Sequence, residues 1–68
     1  MNNFSKIFSQ LINDNGEQNQ IIAQKLNITK SHLSNLKSGY NEPSIDLLIK
    51  IANYFNVTID YLVGRTNY

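Results

Sequence analysis

Between Gln18 and Asn41 the chain carries Lys25, Lys30, Lys37 and His32 and no acid. The next stretch, Glu42 to Leu62, sets Glu42, Asp46 and Asp60 against Lys50. Within the basic part, the segment KSHLSNLKS offers Lys30, Ser31, Ser34, Asn35, Lys37 and Ser38 as hydrogen-bond donors. Ammonium, hydroxyl and amide groups of this kind suit phosphate oxygens and the edges of bases. A basic block beside an acidic one is only a weak indication of nucleic acid, because lysines facing water produce the same pattern.

Other chemistry is poorly supplied. The 68 residues have no Cys, one His and five scattered acids, so no nucleophile meets a base and no metal set assembles. No catalytic residue, metal or cofactor is expected, and no enzyme activity. The absence of Cys suits a reducing cytosol, and with short apolar runs and the polar start MNNFSKIF neither a membrane span nor a targeting peptide is expected. A cytoplasmic protein is expected. With 41% apolar residues, nine of them Ile and seven Leu, the chain can build one core, a single domain over 1–68. Net charge is +1, and eleven Asn make the surface polar rather than charged.

The donor-rich segment must be held by helices, since apolar residues recur at helical spacing and nothing alternates. Phe4, Ile7, Phe8, Leu11 and Ile12 form the stripe of a first helix, with Asn2 or Asn3 to cap it and Asn15-Gly16 to end it. Ile22, Ala23 and Leu26 mark a second, about 18–26, stopping at Asn27. Thr29 caps a third from Lys30 to Ser38, and Gly39 ends it. Ser44 caps a fourth, Ile45 to Phe55, apolar on nearly every side and hence expected at the centre with neighbours all round. Thr58 caps a short fifth, Ile59 to Val63, stopped by Gly64. No linker or repeat stands out.

The second and third helices carry a specific packing pattern. Ala23 allows a close crossing, Asn27 makes the turn, Ile28 plugs the corner, and Leu33 and Leu36 pin the third helix onto the second. That is the signature of a helix-turn-helix, whose second helix enters the major groove. The plainer reading is an ordinary helical bundle with one solvated face.

GEQNQIIAQKLNITKSHLSNLKSG and the following EPSIDLLIKIANYFNVTIDYLVG resemble the lambda-repressor-like, Cro-type (XRE) family, over roughly Phe4 to Gly64. Ala23, Ile28, Leu33, Leu36, Gly39, Pro43, Ala52 and Asp60 to Gly64 carry the resemblance. It implies an all-α, compact five-helix bundle binding a DNA operator as a two-fold dimer to regulate transcription. Departures are Asn19 in place of the usual Gln, Asn27 in place of Gly, and Glu17 where an apolar residue is common. The family's ion pair between the first and third helices falls on Ile12 and Lys37, so both its members are replaced together.

In that frame Lys30, Ser31, Ser34 and Asn35 are the expected base contacts, Lys30 matching guanine and Asn35 adenine. Asn19, Thr29, Lys37, Ser38, Tyr40 and Asn41 are the expected phosphate contacts. Thr29 serves chiefly as a helix cap, Tyr40 is a packing residue on the alternative reading, and His32 is expected to be an exposed structural residue, with base reading as its alternative. Lys6, Lys25 and Lys50 read as solvated charges. Phe55, Asn56, Val57, Thr58 and Tyr61, with Arg65 to Tyr68, form the expected patch of a weak homodimer strengthened on DNA. The expected function is sequence-specific binding of a pseudo-palindromic operator by a phage- or bacterial-type repressor. The alternatives are a protein–protein interaction module and the DNA-binding half of a larger repressor controlled by an antagonist protein.

Overall fold

A computed structural model describes residues 3–65. It contains α1 (Phe4–Asn15), α2 (Asn19–Leu26), α3 (Lys30–Ser38), α4 (Ile45–Phe55) and α5 (Ile59–Leu62). Helix α1 packs on α3 and α5, α2 on α3 and α4, and α4 on α5. The core they share is wholly apolar: Phe4, Phe8, Ile12, Ile22, Ala23, Leu26, Leu33, Leu36, Leu47, Leu48, Ile51, Ala52 and Leu62. Fully burying each of the Phe, Leu and Ile side chains contributes about 1.5–3 kcal/mol before the entropy of ordering them. Phe8 joins α1 to α4, stacking on Phe4 at 5.2 Å and meeting the Phe55 ring edge-on at 6.2 Å.

The helix ends follow local chemistry. Thr29, Ser44 and Thr58 stand in extended backbone, and their hydroxyls accept the N–H groups of His32, Leu47 and Tyr61 at 3.0–3.2 Å. Helix α1 lacks such a cap, since Asn3 makes no side-chain capping bond, and Asn2 lies outside the described residues. Gly16 then ends α1 in the left-handed region at φ 83°. Two expected boundaries shift by one residue: α2 starts at Asn19 rather than 18, because Gln18 is extended, and α5 stops at Leu62 rather than Val63.

A short corner motif occurs twice. Ala23 to Thr29 reads AQKLNIT and Ala52 to Thr58 reads ANYFNVT. Asn27 and Asn56 adopt the same left-handed conformation, at φ 60° and 58°. Ile28 and Val57 each donate their N–H to the alanine carbonyl five residues back at 2.9 Å. Threonine then opens the next helix at both corners. One local code thus turns the chain twice.

Helix α4 is less enclosed than its composition implies. It buries Leu47, Leu48, Ile51 and Ala52, but Ile45 and Ile49 are 73% and 45% exposed. Among the described residues α1, α2 and α5 cover only one side of it, and the apolar surplus is left exposed.

Candidate nucleic-acid interface

Helix α3 is amphipathic in the way its sequence requires. Leu33 and Leu36 are 1% and 0% exposed and fasten its inner side to the core. Lys30, Ser34, Lys37 and Ser38 fall in one outer row at helical spacing, with Ser31 and Asn35 in the row beside it. Lys30, Ser31, Ser34 and Ser38 are exposed, while Asn35, Lys37 and His32 are half-buried along the margins. The outer side therefore offers two ammonium groups, three hydroxyls and an amide, and no carboxylate.

The last turn of α3 leaves carbonyls without helical partners, and three of them are satisfied. The Asn35 carbonyl accepts the Ser38 hydroxyl at 3.1 Å and the Asn41 N–H at 3.2 Å. The Leu36 carbonyl accepts the Gly39 N–H, and the Lys37 carbonyl accepts the Ser9 hydroxyl at 3.1 Å. The Ser38 oxygen also accepts the Tyr40 N–H at 3.3 Å. Ser38 thus donates its one hydroxyl hydrogen inside the protein, so a phosphate contact from it requires that bond to break. Thr29 differs: its oxygen accepts from His32 as a cap, and its hydrogen remains available for an outward bond.

The loop after α3 brings out Tyr40, 82% exposed and so not a packing residue, while Asn41 is half-buried. Asn19 is exposed at the first position of α2, whose flanking Gln18 makes no capping bond. Unfilled N–H groups at such an end, with the helix dipole, suit an anion.

Lys25 is not simply solvated. Its ammonium donates to Glu17 Oε2 at 3.1 Å and lies 5.5 Å from the centre of the Tyr54 ring. Tyr54 in turn donates its hydroxyl to Glu17 Oε1. The departure at Glu17 flags this site in the sequence, whereas nothing there marks Ser9 or Tyr54.

In the expected dimer patch, Phe55 and Val57 pack against the core, Asn56 and Thr58 are exposed, and Tyr61 is half-buried. Ile59, next to Thr58 in the chain, is 37% exposed. Arg65 is exposed, and 66–68 lie outside the described residues. Among the described residues no helix is long and apolar enough to cross a membrane, and no group of His, Cys, Asp or Glu can hold a metal.

Two helices crossing at a left-handed Asn, with a polar outer helix pinned by two leucines, define a helix-turn-helix domain. The family model described as helix-turn-helix matches residues 20–62, and the chain belongs to that family, as its resemblance implied. It is 46% identical over 43 residues to the HTH-type transcriptional regulator ImmR of Bacillus subtilis, covering 63% of this chain and 34% of that protein. It is 41% identical over 46 residues to the HTH-type transcriptional regulator AnsR of the same organism, covering 68% of this chain and 40% of that one. A crystal structure of a transcriptional regulator from Listeria innocua superposes with a TM-score of 0.86 at 36% identity, over 93% of this chain and 59% of that chain. The chain thus spans 34% and 40% of the two Bacillus regulators and 59% of the Listeria chain.

Proposed function

We propose that this domain binds duplex DNA in a sequence-specific manner and acts in transcription regulation, as a repressor on a pseudo-palindromic operator. The observation that carries the reading is the outer side of α3: Lys30, Ser31, Ser34, Asn35 and Lys37 with no acid, over Leu33 and Leu36 buried behind. In this reading α3 enters the major groove. Lys30, Ser31, Ser34 and Asn35 meet base edges, while Asn19, Thr29, Lys37, Tyr40 and Asn41 hold the flanking phosphates, joined by Ser38 if its internal bond opens. The names of the similar proteins, transcriptional regulators, support the same conclusion.

Selection from random duplex DNA, followed by titration of the winning sequence at several salt concentrations, tests this. A consensus with two related half-sites is expected, and log K should fall with log salt by about 0.9 for each phosphate neutralised. No enrichment, together with no binding at low salt, overturns it.

A second reading, a protein-interaction module, draws on the exposed Ile45 and Ile49 of α4 and the net charge of +1. Under it an antagonist or other protein partner engages α4, and the same selection returns no consensus.

A further inference from the structure

We infer that Glu17 is a positioning residue for the DNA contact at the start of α2, acting through Tyr54 and Lys25. The inference rests on the proposed phosphate contact at that helix end.

Three elements meet at the Glu17 carboxylate. Oε1 accepts the Tyr54 hydroxyl from α4, and Oε2 accepts the Lys25 ammonium from the last turn of α2 at 3.1 Å. The triangle closes because that ammonium lies 5.5 Å from the centre of the Tyr54 ring. The backbone is held as well: the Glu17 N–H donates to Asn15 Oδ1 at 3.2 Å. Elsewhere the connection has little to grip. Gly16 bends it in left-handed conformation with open space around its α-carbon, and Gln18 makes no capping bond. The side chain of Glu17 therefore ties the connection to α4, and Asn19 begins α2 two residues later.

Charge and position predict opposite signs here. An acid so close to a phosphate contact repels DNA, and Lys25 only partly offsets it, since their side chains are 35% and 52% exposed. If charge alone mattered, removing Glu17 would tighten binding. If Glu17 sets the place of the first turn of α2, removing it weakens binding despite the lost repulsion.

Glu17→Ala, Glu17→Gln and Tyr54→Phe, each shown folded by circular dichroism at the working temperature, are titrated with the selected duplex over a series of salt concentrations. Glu17→Ala and Tyr54→Phe should bind about two- to tenfold more weakly, the worth of one net hydrogen bond. Glu17→Ala should also flatten the salt slope by up to about 0.9, one phosphate lost, which a purely structural role would not do in a folded protein. Glu17→Gln keeps an oxygen for the Tyr54 hydroxyl, so it should bind at least as tightly as the wild type. Should Glu17→Ala fail to fold, Tyr54→Phe, which keeps the ring, carries the test. The inference is overturned if the wild type binds with a steep salt response while folded Glu17→Ala and Tyr54→Phe match or exceed its affinity with the same slope. A wild type that binds no DNA overturns instead the function on which the inference rests.

Discussion

The Ser9 hydroxyl donates to the Lys37 carbonyl across 3.1 Å, joining the middle of α1 to the last turn of α3. Family resemblance puts an ion pair between these two helices, at positions held here by Ile12 and Lys37. Ile12 is buried in the core at 3% exposure, so one charge is replaced by packing. A neutral hydrogen bond to backbone then ties the helices, and the Lys37 ammonium is left for another partner. Ser9→Ala should cost about 0.5–1.5 kcal/mol, because a part-buried carbonyl loses its donor. Urea unfolding measures it; an alanine variant as stable as the wild type would show that the bond contributes nothing.

The two recurring corners give a paired test. Asn27 and Asn56 sit at φ 60° and 58°, where most side chains pay roughly 1–2 kcal/mol and Gly pays nothing. Asn27→Ala and Asn56→Ala should therefore each lower stability by about 1 kcal/mol, while the glycine variants stay close to wild type. Thermal melting of the four variants decides. Equal loss for Ala and Gly at either corner would mean that the Asn side chain, not the backbone conformation, matters there.

Much of this was legible in the residues because local rules and packing agree. Thr29, Ser44 and Thr58 cap the helices their positions suggest, and Leu33 and Leu36 face inward as their spacing requires. Reading fails where a property belongs to the assembled helices. Ile45 and Ile49 look like core by composition, but no helix among the described residues covers that side of α4. The Tyr54–Glu17 bond spans 37 positions, and no local pattern announces a contact of that range. Lys25 looks solvated for the same reason, since its partners come from elsewhere in the fold. The repeated corner was visible in AQKLNIT and ANYFNVT, yet its meaning emerges only when both asparagines are seen left-handed.

Base reading and phosphate holding separate by their response to sequence and salt. Asn35→Ala should cost roughly 1–3 kcal/mol on the preferred duplex and relax selection at one position per half-site. Lys37→Ala should weaken specific and random DNA alike and reduce the salt slope by about one. Parallel titrations of both variants on the two duplexes give the answer. If Asn35→Ala lowers affinity equally for both, its amide holds the backbone rather than a base.

Pairing of two copies is the remaining expectation, and the structure narrows where to look for it. One α3 spans only a few base pairs, too few to single out a site among genomic competitors, so the proposed operator binding is expected to use two. Of the patch between α4 and α5, Phe55 and Val57 are already engaged by the core, which leaves Asn56, Thr58, Ile59 and Tyr61 at its surface. So small a surface suits a weak dimer, largely monomeric when dilute, that forms on half-sites about 10–10.5 bp apart. Because the Thr58 oxygen already caps α5, Tyr61→Ala and Ile59→Ser are the better probes of contact between copies. Each should leave binding to an isolated half-site unchanged and reduce the cooperativity of filling both. Sedimentation of the free protein and footprinting on the full and half sites check this together. Equal occupancy of the two halves with no mutual gain, in the wild type, would remove the dimer from the account.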